Sequence, residues 1–370
     1  MKRTIIALLI LLAPMLLFAE TEETQDAIDA LLETIDLSEW DAWFQKNGTE
    51  SGVLPSAILK QLAGMQDPFG TVFRHTDLLS LLKPSVPSVL ARMMLFVGLA
   101  TFGAVLRGIS DVSSIGESAG TVLRIGVSAA VLVVSLSEIR TALAAIRTTE
   151  RTTELLLPAV VGYLALTGQA NTALLLPTSQ ALLSEVVLRL IETCILPSAV
   201  IGGVLLVLDA NGAGQLYSVG RLLQRAAKWM LATACSFYML VTAIRSIAAK
   251  NADNLLLKTT KLAAASVPSI GSLLAESVDT AYQCMLFVKN ALGLTGCIVL
   301  ISVALKPAFS VFLTRCSLRA SALLTEPLAG KPYAELLKGM GDTLHILMLS
   351  ELVAVSMALM ILIPVLGTGA

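Results

Sequence analysis

Charge is scarce in this sequence, aromatic residues are few, and most of the common catalytic signatures are missing. Only 14% of its residues are Asp, Glu, Lys or Arg, against about 25% in average soluble domains. That is too little charge to cover a globular surface. A net charge of −1 gives no electrostatic case for binding nucleic acid. There is no Walker A loop, no HExxH helix and no GxGxxG leading to an acidic residue. The two histidines, His75 and His345, have no metal-ligand company. The five cysteines, Cys194, Cys235, Cys284, Cys297 and Cys316, form neither a CxxC pair nor a Cys/His cluster, so they read as small buried hydrophobes. An ATPase, a metalloprotease and a dinucleotide enzyme are therefore unsupported. No catalytic residue, metal or cofactor is assigned, and energy for any transport would come from a partner or a gradient.

What is present is apolar mass: 55% hydrophobic residues, drawn mainly from Leu, Ala, Val and Ile. Such a composition predicts an all-α, polytopic helical membrane protein. The first residues read as a signal peptide over 1–19. Lys2 and Arg3 are its positive start, Ile5 to Leu12 its apolar core, and cleavage follows Ala19. Residues 20–88 form an acidic extracytoplasmic segment. Ile28, Leu31, Leu32 and Ile35 recur there at helical spacing, and a second short helix carries Trp40, Trp43 and Phe44. Those aromatics either dock on a partner or the bilayer, or make the small core of this segment.

Residues 89–370 are the membrane domain, with about six to eight spans. Clear candidates are Val89–Leu106, Val122–Leu136, Leu190–Leu208, Trp229–Ile247, Cys284–Leu305 and Leu344–Leu366. Residues 155–189, with Pro158 and Pro177, read as a broken or re-entrant pair, or as an amphipathic hairpin at the interface. Residues 253–283 read as an amphipathic segment outside. Parity puts Arg221, Arg225 and Lys228 on the cytoplasmic side, as the positive-inside rule asks. It also puts Glu138–Glu154 in an outside loop, although that stretch holds Arg140, Arg147 and Arg151.

Ionisable groups within apolar spans are expensive in lipid and mark function by default. Glu351 lies in the last span, and Lys289, with Asn290 beside it, lies in Cys284–Leu305. Lys289 and Glu351 could pair across helices or line a polar path.

Three further strings have a distinctive order: Lys258-Thr259-Thr260-Lys261, Val267-Pro268-Ser269-Ile270-Gly271 and Glu276-Ser277-Val278-Asp279-Thr280. With Lys289-Asn290, Pro307 and Glu326-Pro327-Leu328 downstream, they resemble the stage III sporulation protein AE family. Ser269 replaces the family's Val, and Glu276-Ser277 its Asp-Ala. Lys258, Lys261, Pro268, Gly271, Glu276, Asp279, Thr280, Lys289, Asn290 and Glu351 are the resulting candidate functional residues. The resemblance implies a non-enzymatic subunit of a secretion-like channel between mother cell and forespore, needed after engulfment for late forespore gene expression. It implies a multi-pass location in the mother-cell membrane around the forespore, with other channel subunits and a separate ATPase as partners. A free-standing secondary transporter is the alternative, but it would call for a second interrupted helix pair. An intramembrane enzyme is disfavoured by the missing catalytic constellation.

Overall fold

The computed structural model describes residues 114–166, 170–209, 216–265 and 271–366, with shorter stretches between residues 41 and 105. The signal peptide and most of the acidic segment lie outside the described residues. Among the described residues six α-helices are delimited from end to end: α1 (Ser114–Leu166), α2 (Ala170–Leu190), α3 (Leu196–Leu208), α4 (Leu216–Ala265), α5 (Gly271–Ala329) and α6 (Lys331–Leu366). Among the described residues there is no strand, and five helical stretches are long and apolar enough to cross a membrane: Ile125–Gly162, Pro177–Leu208, Leu216–Ala248, Gly293–Pro327 and Lys331–Leu362.

Residues 138–154, expected as an outside loop, lie in the middle of α1. They contain neither Gly nor Pro, so nothing in the backbone stops the helix there. Their charges are used laterally. Arg147 Nε donates to Glu192 at 3.1 Å, and Arg151 pairs with Glu154 at 2.8 Å. The stretch 155–189 is shared between two helices. Residues 155–166 close α1, and residues 170–189 belong to α2. Pro158 and Pro177 are carried inside these helices.

Helices α2 and α3 form one continuous rod interrupted by a π-helical turn, Ile191–Ile195. Pro197 stands just after it. A proline ring clashes with the carbonyl four residues back and offers no amide. Widening the turn by one residue relieves that conflict, and the Leu196 amide donates to the Ile191 carbonyl. Helix α5 ends at Gly330, whose φ of 90° suits a residue without Cβ. The Gly330 amide returns to the Glu326 carbonyl at 3.2 Å, a left-handed cap, and Lys338 reaches back to Glu326 at 2.6 Å.

The helix end that the sequence places before Val267-Pro268 divides residues 253–283 between two rods. Lys258 and Lys261 lie in α4, while Gly271, Glu276, Asp279 and Thr280 lie in α5.

Close backbone approach sets the packing of α3, α4 and α6. A Cβ on Gly202 would stand 2.9 Å from the Gly220 carbonyl, and one on Gly220 2.8 Å from the Gly202 carbonyl. On Gly203 it would collide with the Thr343 side chain. Small residues let membrane helices meet this closely. Gln224 then crosses the seam, donating to the Gly339 carbonyl at 2.9 Å and to Thr343 Oγ1 at 3.0 Å. Tyr238 donates to the Met357 carbonyl at 3.2 Å, joining α4 to α6 a second time. The buried apolar core draws on all the helices, with Val131, Ile146, Ile191, Ile195, Leu318, Leu337, Leu344 and Leu347 among its members.

Candidate functional site within the helical bundle

Helix α6 buries Glu351 completely, at 0% exposure. Neither carboxyl oxygen has a hydrogen-bond partner among the described residues. Leu347, Ala354 and Val355, one turn either side on the same helix, are buried apolar residues. A carboxyl group in such surroundings loses its hydration without gaining a bond. It contributes nothing evident to the fold, so a functional reason for it has to be sought.

Glu138 of α1 is buried too, at 3% exposure, but under opposite conditions. Ser310 donates to Glu138 Oε2 at 3.1 Å and Thr314 to Oε1 at 3.0 Å. Both hydroxyls belong to a stripe on α5 in which Thr314, Ser317, Ser321 and Thr325 are buried. The spacing of 310, 314, 317, 321 and 325 puts these side chains along one face of a helix. On α1, Ser128 and Ser135 are buried in the turns before Glu138. A seam of hydroxyls and one carboxylate therefore runs between α1 and α5 inside an apolar bundle. The sequence reading did not find it. The hydroxyl stripe was readable as a period, whereas Glu138 was hidden among charges that looked like a loop.

Lys289 and Glu351 do not meet. Helices α5 and α6 are antiparallel, with Gly296 against Leu362 and Arg319 bonded to Asp342. That register sets Glu351 opposite the stretch around Pro307, roughly 30 Å along α5 from Lys289 at 1.5 Å per residue. Among the other candidates, Lys258 and Lys261 lie in the distal part of α4, and Gly271, Glu276, Asp279, Thr280, Lys289 and Asn290 in the first part of α5. Their side chains, and Pro268 altogether, lie outside the described residues.

A Gly-x-Ser-x-Gly string is also present, from Gly116 to Gly120. It lies wholly within the first turns of α1. A hydrolase nucleophile needs a strand-to-helix elbow, so the string carries no such role here. No group of three or more His, Cys, Asp and Glu placed to hold a metal occurs among the described residues.

The fold and this site define a multi-pass, helical membrane protein with two carboxyl groups and a stripe of hydroxyls turned inward. The family model for stage III sporulation protein AE matches residues 57–369, and the chain belongs to that family. It is similar to stage III sporulation protein AE of Bacillus subtilis (strain 168), at 24% identity over 179 residues. That match covers 48% of this chain and 45% of the relative. No solved structure matches. Family membership supports a role in sporulation.

Proposed function

We propose that this protein is a non-enzymatic membrane subunit of the channel complex linking mother cell and forespore, needed after engulfment for late forespore gene expression. The observation that carries the reading is the family match over residues 57–369, which takes in α1 to α6. The five membrane-crossing stretches and the inward-facing polar groups of α1, α5 and α6 are what such a subunit needs. With no nucleotide-binding loop in the chain, a separate ATPase among its partners supplies the energy. Its place is the mother-cell membrane around the forespore, with other channel subunits beside it. The distal motif residues Lys258, Lys261, Pro268, Gly271, Glu276, Asp279 and Thr280 make its subunit contacts, and Glu351 serves the conduit.

Isolation of the tagged full-length protein from membranes of sporulating cells at engulfment tests this. Co-isolation of the ATPase and further channel subunits is the expected result. A protein recovered alone, whose loss impairs uptake of one nutrient in growing cells, would overturn the reading in favour of a secondary transporter.

A further inference from the structure

The end of the bundle where α3 stops, α4 begins and α5 turns into α6 collects positive charge around one acid. Asp342 accepts from Arg221 at 2.8 Å and from Arg319 at 2.8 Å. Lys228 and Arg315 lie within electrostatic reach of the same carboxylate, and His345 stands among Arg315, Lys228 and Arg319. One carboxylate cannot neutralise this set. Arg315 keeps a buried Nε without a hydrogen-bond partner, a donor left unmet. Glu326, the next acid along α5, is taken by Lys338, and the Asp209 carboxylate accepts the Leu216 amide.

Beside this cluster is a cleft of about 530 Å³ along the start of α4, lined by Tyr217, Arg221, Gln224, Arg225 and Lys228 among others. Arg221, Arg225 and Lys228 follow a helical row, and the neighbouring row is apolar and open. Leu222, Trp229, Phe237, Leu240, Ile244 and Ile247 of that row are all exposed, Trp229 at 77%. A Trp beside a Lys at the mouth of a long apolar stripe is the pattern of a membrane–water boundary. Clustered basic groups at that level attract phosphate headgroups.

We propose that this end of the bundle binds an anionic phospholipid. Its headgroup phosphate is held by Arg225 and Lys228 in front of the Arg221–Asp342–Arg319 bridge, and its acyl chain lies along the exposed stripe of α4. The charge complementarity and the continuous apolar stripe together favour a lipid over a free anion, since an inorganic phosphate would leave the stripe unused.

The test uses the purified full-length protein, delipidated in a neutral detergent, with unfolding temperature as the readout. Phosphatidylglycerol is expected to raise that temperature, and phosphatidylcholine to leave it unchanged. In Arg225→Gln/Lys228→Gln the phosphatidylglycerol concentration needed rises about tenfold or more, each basic group contributing to the attraction. Arg225→Gln alone, an exposed change, shows an intermediate rise. Arg245→Gln, further along α4, responds as the unaltered protein does. An equal response to phosphatidylcholine, or an unchanged response in the double variant, would overturn the proposal. A full response to millimolar inorganic phosphate would also overturn it, assigning the cluster to a soluble anion.

Discussion

Two buried carboxyl groups in this bundle differ in what holds them, and the difference separates stability from function. Glu138 is bonded by Ser310 and Thr314. Its replacement by Ala is expected to lower unfolding free energy by about 1 to 3 kcal/mol, because the part-buried Ser310 hydroxyl and the buried Thr314 hydroxyl lose their shared acceptor. Glu351 has no such bonds. Glu351→Met, which keeps the volume and removes the unbonded polar group, is expected to fold at least as stably as the natural protein while sporulation fails. Denaturation of both variants in detergent, set beside spore counts, checks the pair. A Glu351→Met protein clearly less stable than the natural one would mean that the carboxyl is structural. Asp342→Asn weakens both arms of the Arg221–Arg319 bridge. Because Arg319 is half-exposed, a loss of roughly 1 to 2 kcal/mol is expected, below that of a fully buried pair. Glu351 was legible in the sequence because a lone acid inside an apolar run stands out. Glu138 was not, since a residue's neighbours along the chain do not reveal a hydroxyl pair on another helix.

At the scale of the helices, joins matter more than breaks. The loop expected at 138–154 rested on its charges, which are costly within a membrane span. Here lateral ion pairs such as Arg147–Glu192 absorb the charges, and long helices carry Pro158 and Pro177 inside them. The end of α4 before Pro268 was legible, because the residue ahead of a proline is pushed out of helical geometry. The contact of α3 with α4 could not be read, since a glycine's partner across an interface leaves no trace in its own sequence. Gly220→Val is expected to cost about 3 kcal/mol by overpacking, since a Cβ there would stand 2.8 Å from the Gly202 carbonyl. A fall in unfolding temperature, absent for Gly126→Ala, whose added Cβ has open space, checks this.

For the whole molecule, the antiparallel course of the rods puts the starts of α1, α4 and α6 and the ends of α3 and α5 at one end. Arg221, Arg225, Lys228, Arg315 and Arg319 cluster toward that end, which the positive-inside rule places in the cytoplasm. Reporters fused in the 209–215 connection and at the Gly330 turn should therefore report the cytoplasmic side, and one between α1 and α2 the opposite side. All-helical, multi-pass architecture was legible from composition alone, because low charge leaves no other way to solvate such a chain. Family membership was legible only through short motifs, whose described residues lie in α4 and α5. The most direct test is deletion of the gene in its sporulating host, complemented by natural and Glu351→Met copies. Arrest after engulfment is expected, with late forespore expression lost and vegetative growth normal. The natural copy should restore spores, and Glu351→Met should reach the membrane without restoring them. Normal spore formation in the deletion strain would contradict it.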